Sequence, residues 1–297
     1  MLGFSLAGVG FQLRSGAGVV DLQLSPAYAP FLGPSPIHPI AGYYGIRPPV
    51  SGILEAVRAD RLIWECLTWR MGISAGGLHS IEISAVPDNR WITVANINQD
   101  FSGGTICPFA GRLGAPSPYA LNYPWDQAIL MNRLLYFGAG IVHSCGVVID
   151  GQGFMFAGRS GAGKTTISRL WRKSGAILLN DDRVIVRIRD GQLIVCATPW
   201  HGEDSEMRPD IVPLRAIFHL EQSSVNRLHR LPETRALTSL LATTVAPFYS
   251  AAGMDQLLAV WATVAERVPS YILEFTPDQR PLDLCRAEVI DRIETPV

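Results

Sequence analysis

Apolar and polar residues alternate along much of the first 120 residues, with the period of two that is typical of β-strands with one buried face. The opening segment, residues 1–16, carries an apolar run and predicts a first strand. Further strands are predicted at residues 19–24, 62–69, 81–84 and 91–97. These residues are therefore expected to form a β-rich N-terminal domain.

Proline and glycine interrupt this alternation in two places. Between the second and third predicted strands lie seven prolines: Pro26, Pro30, Pro34, Pro36, Pro39, Pro48 and Pro49. Each removes a backbone N–H, so the segment predicts a long loop or an extended packing segment rather than a regular helix or a central strand. Residues 101–118 are similarly rich in glycine and proline and predict a second loop, which indicates a domain boundary near residue 120.

The periodicity changes after that boundary. Residues 126–137 have the apolar spacing of a helix, with Asp126 as a candidate N-cap and Gly138 at the end. A strand from residue 140, a hairpin turn at Asp150-Gly151 and a strand at residues 153–157 are predicted next. Further strands are predicted at residues 176–179, 184–189, 193–197, 214–220 and 271–275, with a hairpin turn at Asp190-Gly191, and helices at residues 165–173, 233–245 and 254–268. The last of these helices is expected to bury Met254, Leu257, Leu258 and Trp261. Residues 121–297 are thus predicted to form an α/β domain.

One stretch of this second domain fills every position of the phosphate-loop pattern G-x-x-x-x-G-K-[ST]. The residues predicted to bind nucleotide are Gly158, Arg159, Ser160, Gly161, Ala162, Gly163, Lys164, Thr165 and Thr166. Glycines allow the loop to turn successive N–H groups toward phosphate oxygens, and the following helix directs its positive N-terminus at the anion. Lys164 is expected to reach the β- and γ-phosphates, and Thr165 to place its hydroxyl on Mg²⁺. Because the predicted strand and helix flank the pattern in the required order, we predict nucleotide binding rather than a glycine-rich turn.

Two aspartates, Asp181 and Asp182, follow the predicted strand at residues 176–179. Acidic residues at a strand end beside a bound triphosphate are placed to hold Mg²⁺ or to act as a general base. We assign the base to Asp181 and the metal to Asp182, although sequence alone allows the two to exchange roles, and such pairs are also common in solvated turns. Further along, His201 and Glu203 either form only a loop or serve a metal or the acceptor, and we include Glu203 among the metal ligands.

Composition limits the partners of the chain. It has 297 residues and a formal net charge of −1, so it lacks the broad basic field that nucleic acid or an anionic membrane would require. Its five cysteines are scattered and form no C-x-x-C pair, which favours neither a disulfide framework nor a zinc site and fits a reducing cytoplasm. Neither a signal peptide nor a membrane helix is indicated at residues 1–16. The oligomeric state stays open, a homo-oligomer included.

Three features together resemble the HPr kinase/phosphorylase family: His143 before a strand, the phosphate loop, and the sequence Asn180-Asp181-Asp182-Arg183-Val184. The resemblance covers residues 121–220, and residues 123–127 and 198–203 look more like the relatives that phosphorylate lasso peptides. It implies a P-loop, HPr-kinase-like mixed sheet core related to the ATP-dependent phosphoenolpyruvate carboxykinases. It also implies ATP and Mg²⁺ as cofactors and a role for His143, beside Lys164 and Asp181, in holding the aspartate and the phosphate.

The expected function is therefore a Mg-ATP-dependent kinase that acts on a serine or threonine hydroxyl of a peptide or protein, with a lasso-peptide precursor as one such acceptor. A nucleotide-binding regulatory switch and a small-molecule hydroxyl kinase are the alternatives. A carboxykinase-like enzyme would need acid-binding arginines that the sequence does not identify. Residues 1–120 are expected to recognise the acceptor, because a β-rich domain offers a sheet edge to which an extended peptide adds as a strand.

Overall fold

The computed structural model describes residues 1–15, 23–33, 40–46, 60–85, 90–107, 109–110, 115–116, 119–203 and 208–292. The chain divides into two units, Met1–Leu134 and Leu135–Val297. The division falls later than the boundary near residue 120 that the sequence suggested, because the helix after that point belongs to the first unit. None of the helices in the described ranges combines the length and the apolar character that crossing a membrane requires.

The first unit is built mainly from strands. They are β1 (Leu2–Leu6), β2 (Val9–Ser15), β3 (Ile40–Ile46), β4 (Arg61–Glu65), β5 (Trp69–Ile73), β6 (His79–Ala85), β7 (Arg90–Ile97), β8 (Gly103–Ile106), β9 (Phe109–Ala110) and β10 (Ala115–Pro116). Within the described residues, eight of them form one sheet in the order β1-β2-β3-β8-β7-β6-β5-β4, and β9 pairs with β10. β3 runs parallel to both of its neighbours, whereas the other neighbours in this sheet are antiparallel. A short 3₁₀ helix, Pro26–Phe31, and the helix α1, Trp125–Leu135, complete the unit.

Three predictions for this unit need correction. The single strand predicted at residues 62–69 is a hairpin, in which Cys66 N–H donates to Trp69 O at 3.0 Å and Leu67 is 93% exposed between β4 and β5. The segments predicted as loops contain β3 and β8, which lie in the middle of the sheet. Gly104 shows why glycine does not mark a loop here: a Cβ on it would collide with the Asn96 carbonyl of the neighbouring strand. Of the strand predicted at residues 19–24, only Gln23 and Leu24 lie within the described residues. Five of the seven prolines also lie outside the described residues.

Asp126 lies inside the first turn of α1, which begins one residue earlier at Trp125, so it is not the predicted N-cap. Its side chain is buried and accepts a hydrogen bond from Tyr28 Oη at 2.8 Å and another from Gln127 N at 2.6 Å. Burial, together with this carboxylate, raises the pKa of Tyr28. Asp126 therefore ties the helix to the 3₁₀ turn that carries Tyr28.

The second unit carries the remaining strands: β11 (Ala139–Ile149), β12 (Gln152–Ala157), β13 (Ile177–Asn180), β14 (Arg183–Arg189), β15 (Gln192–Ala197), β16 (Ile211–Gln222), β17 (Arg227–Arg230), β18 (Thr244–Val245) and β19 (Ser270–Phe275). Its helices are α2 (Lys164–Lys173), α3 (Glu233–Thr243), α4 (Ala251–Arg267) and α5 (Arg280–Glu288), followed by the 3₁₀ turn Ile290–Arg292. Seven of the described strands run in the order β12-β11-β14-β15-β16-β19-β17, β13 and β18 each pair with β11, and β12 also pairs with β16. The mixed α/β class predicted for residues 121–297 is thus observed from Leu135 onward.

Two long strands hold this sheet together. β11 pairs with β14 through its first half and with β12 through its second, and β16 passes in the same way from β15 to β12 and β19. β11 and β14 approach each other closely, since a Cβ on Gly146 of β11 would lie 2.8 Å from Val184 Cγ1. Helix α2 buries Ile167 and Trp171 against a core that includes Phe156 and Phe218. These contacts fix the strand that ends at the phosphate-loop pattern.

Helix α4 buries two of the four residues predicted for its core face. Leu257 and Trp261 are buried, and a Cβ on Gly140 of β11 would collide with both of them. Leu258 is 36% exposed and Met254 is only half-buried, so these two were wrongly placed in the core. The buried stripe of α4 is therefore narrower than its apolar composition suggests.

Candidate functional site

The phosphate-loop pattern connects the end of β12 at Ala157 to the start of α2 at Lys164. Gly161 and Gly163 have φ angles of 81° and 101°, in the left-handed region that favours glycine. Gly158 and Gly163 are also needed for space: a Cβ on Gly158 would lie 2.7 Å from Ala162 Cβ, and one on Gly163 would collide with the Phe275 ring. Each glycine of the pattern thus has a conformational or a packing reason.

Lys164 is buried at the start of α2. Its Nζ donates to the carbonyl oxygens of Gly158 at 3.0 Å and Arg159 at 3.2 Å, which holds the ammonium group against its own loop. Burial lowers the pKa of Lys164, and the nearby Asp182 carboxylate opposes that shift. Lys164 is therefore a buried cation that its own loop holds in place.

Asn180, the last residue of β13, shapes the turn that carries the two aspartates. Its buried Oδ1 accepts hydrogen bonds from Asp182 N at 2.8 Å and Arg183 N at 3.0 Å, while its Nδ2 donates to Thr198 O at 2.9 Å. An asparagine that satisfies two successive backbone donors fixes a tight turn. Asn180 and Thr198 are positioning residues, for which the sequence indicated no role of their own although both lie in stretches that carry the family resemblance. The asparagine immediately before the acidic pair was the available signal.

Asp181 is almost completely buried, with 2% of its surface exposed. Its Oδ1 accepts a hydrogen bond from Gly202 N at 2.7 Å. A Cβ on Gly202 would lie 2.9 Å from Asp181 Oδ2, so only glycine lets the backbone approach the carboxylate this closely. The loop after Thr198 therefore covers Asp181.

Asp182 is more accessible and points to different partners. His143 Nε2 lies 3.4 Å from its Oδ1, and Arg183 Nη1 lies 3.0 Å from its Oδ2. Burial lowers the pKa of His143, and Lys164 and Arg183 lower it further while Asp182 opposes them, so we assign the neutral imidazole near pH 7. His143 thus pairs with Asp182 and not with Asp181, the aspartate beside which the resemblance placed it.

His201 and Glu203, the remaining predicted site residues, have other contact partners than the two aspartates. Arg169 Nη2 lies 2.6 Å from Glu203 Oε2 in an ion pair with both side chains exposed, at 61% and 72%. His201 Nδ1 lies 3.2 Å from Gly202 O. Glu203 is thus engaged by an arginine of α2, on the surface, rather than by the aspartate turn.

The oxygen donors near the loop suit a hard cation such as Mg²⁺. They are the Thr165 hydroxyl in the first turn of α2 and the half-buried Asp182 carboxylate. No group of three or more histidine, cysteine, aspartate or glutamate side chains in the described ranges forms a metal cage. Mg²⁺ is commonly held by one or two protein oxygens together with phosphates and water, so this donor set fits such an ion.

Comparison with solved structures finds a likeness to the Hpr(Ser) kinase/phosphatase from Coxiella burnetii, at 14% sequence identity and a TM-score of 0.29, over 48% of this chain and 90% of that one. Neither a protein-family model nor a curated protein matches the chain. At so low a TM-score, functional inference rests on the geometry of the site itself.

Proposed function

We propose that the protein is a Mg-ATP-dependent kinase that transfers the γ-phosphoryl group to a serine or threonine hydroxyl of a peptide or protein. The observation that carries the proposal is a complete phosphate-loop pattern between β12 and α2, with the Lys164 ammonium held against that loop by the carbonyl oxygens of Gly158 and Arg159. Phosphoryl transfer requires positioning, charge neutralisation and a group that accepts the proton of the acceptor hydroxyl. The residues around this loop supply chemistry of all three kinds.

The nucleotide phosphates are assigned to residues 158–166. Gly161 and Gly163 give the loop the backbone angles with which successive N–H groups can converge on an anion. The N-terminus of α2 adds its dipole, and Lys164 adds a full positive charge beside the loop. Thr165 and Asp182 would hold Mg²⁺, which neutralises phosphate charge when it is bound.

Asp181 is assigned as the general base. Gly202 N–H donates to Asp181 Oδ1, and an acceptor hydroxyl would donate to the same oxygen. A small displacement of the loop after Thr198 would exchange one donor for the other. Asp182 is assigned to the metal rather than to this role, because its two oxygens already pair with His143 and Arg183.

The first unit is proposed to recognise the acceptor. β4 stands at one end of its sheet with β5 as its one neighbouring strand among the described residues, whereas Phe4 of β1, at the other end, also forms a bridge to Leu32. An extended peptide can pair with such an edge through its main chain while its side chains provide specificity. The proposed division of labour gives recognition to the first unit and chemistry to the second.

The decisive experiment follows the label from γ-³²P-ATP. Purified protein is incubated with Mg-ATP and with peptides encoded by neighbouring genes, and mass spectrometry locates the phosphate. We expect phosphoserine or phosphothreonine, formed by the wild type and lost in Asp181→Asn. Label on a free sugar alone would favour a small-molecule kinase, and release of inorganic phosphate with no labelled acceptor would favour a nucleotide switch.

A further inference from the structure

The phosphate loop has two flanks, which differ in chemistry. β12 lies between β11 on one side and β16 on the other, with β19 beyond β16. The side of β11 carries His143, Asp181, Asp182 and Gly202, which we call the transfer flank. The side of β16 and β19 carries Gln222, Asn226, Thr276, Asp278 and Arg280, which we call the nucleoside flank.

The strands of the nucleoside flank end beside the phosphate loop. β12, β16 and β19 are parallel, with Ala157 opposite His219 and Gln222 opposite Phe275, so their carboxyl ends meet at one edge. Direct contacts join the flank to the loop: Gln222 Nε2 donates to Gly161 O at 2.7 Å, and the Phe275 ring fills the space beside Gly163.

A connected polar network follows these strand ends. Asn226 Oδ1 accepts from Thr276 N at 2.9 Å, and its Nδ2 donates to Thr276 Oγ1 at 2.8 Å. Thr276 Oγ1 in turn donates to Asp278 Oδ2 at 2.9 Å. Asp278 accepts from Arg280 Nε at 3.1 Å through Oδ1 and 3.0 Å through Oδ2. The network therefore fixes one edge of the Arg280 guanidinium.

We propose that this flank holds the nucleoside part of the nucleotide, with the face of the Arg280 guanidinium stacked on a purine base. The proposal rests on the proposed function, because it takes ATP as the ligand. The transfer flank contains the groups for the γ-phosphoryl end, so the nucleoside end is left to the opposite side. Arginine planes stack favourably on aromatic rings, and the Arg280 side chain is 70% exposed. The ion pair between Arg280 and Asp278 is so exposed that it adds little to the stability of the fold, so stability does not account for the orientation of the guanidinium.

The test separates the nucleoside from its phosphates. Mg-ATP and inorganic tripolyphosphate are titrated by calorimetry into wild-type protein, Arg280→Ala, Arg280→Lys and the control Arg292→Ala, which removes a similarly exposed arginine paired with Glu288. We expect Arg280→Ala to weaken ATP binding about tenfold, as loss of one stacked base contact does, and to leave tripolyphosphate binding unchanged. Arg280→Lys should remain weak for ATP because it keeps the charge and loses the plane, whereas Arg292→Ala should match the wild type.

Two results would overturn the inference while leaving the proposed function in place: unchanged ATP affinity in Arg280→Ala, or an equal loss of affinity for ATP and tripolyphosphate. Wild-type protein that binds tripolyphosphate but not ATP would overturn it as well. Wild-type protein that binds neither compound would overturn the proposed function and this inference with it.

Discussion

The transfer flank and the nucleoside flank of the phosphate loop differ in how their polar groups are held. On the transfer flank Asp181 is buried under Gly202, and Asp182 is held between His143 and Arg183. On the nucleoside flank Arg280 is exposed and held only at one edge. Buried, fully engaged groups suit chemistry that depends on exact protonation and position, whereas an exposed planar group suits reversible binding. Substitutions on the first flank should therefore alter turnover, and substitutions on the second should alter affinity.

The largest effect is expected for Asp181→Asn. Loss of a general base should reduce turnover about a thousandfold, within the range usual for such groups, while ATP affinity stays within about twofold because the proposed role of Asp181 is toward the acceptor hydroxyl and not toward the nucleotide. Single-turnover kinetics and calorimetry on the same protein measure the two quantities. Asp182→Asn is the matched comparison and should chiefly raise the Mg²⁺ concentration required. If Asp182→Asn abolishes turnover at saturating Mg²⁺ while Asp181→Asn does not, the two roles are reversed.

The next effect concerns His219, on the strand that leads to the nucleoside flank. Burial lowers the pKa of His219 to about 4. Below about pH 6.5 the unfolded chain binds a proton at this residue and the folded chain does not, so stability falls as the pH falls toward 4. The linked loss is about 1.4 kcal/mol per pH unit, about 3 kcal/mol over the window. Urea unfolding of the wild type and of His219→Gln between pH 7 and 4 measures how the free energy of unfolding changes with pH. The decrease toward pH 4 should be smaller in the variant by about 3 kcal/mol. An equal pH dependence in the two proteins would contradict the assignment.

Lys164 lies at the end of the loop at which the two flanks meet. Lys164→Ala should weaken Mg-ATP binding roughly tenfold to a hundredfold, as loss of a charge-assisted hydrogen bond does. Lys173→Ala, at the exposed far end of the same helix, is the control and should bind normally. Calorimetry showing wild-type affinity in Lys164→Ala, together with full activity, would remove the phosphate loop from the mechanism.

The smallest effect is expected for Glu203→Gln. Its carboxylate pairs with Arg169 in solvent, and such ion pairs contribute at most about 1 kcal/mol. Turnover and Mg²⁺ dependence should therefore change less than about threefold, in contrast to Asp182→Asn. A large increase in the Mg²⁺ requirement of Glu203→Gln would instead make Glu203 a metal ligand, as the sequence alone suggested, and would extend the transfer flank to the end of that loop.

The sequence predicted the elements whose signals are local. The strand and helix that flank the phosphate-loop pattern, and the hairpin at Asp190 and Gly191, follow from neighbouring residues, and the structure has each of them. The cover over Asp181 could not be predicted, because it depends on Gly202, which follows in a separate loop. The placement of β3 and β8 in the centre of a sheet failed for the same reason: their glycines serve contacts with other strands, as at Gly104, rather than turns.

Both sheets join segments that lie far apart in the chain, which has a consequence for how the protein folds. Residue 43 lies opposite residue 103 where β3 pairs with β8, and residue 154 lies opposite residue 216 where β12 pairs with β16. Each pairing requires a long loop to close, and this closure costs chain entropy before the contacts of the pairing can form. Topologies of this kind fold slowly. Strand edges stay unpaired during that delay, so the nascent chain is prone to aggregate until β3 and β16 have found their partners.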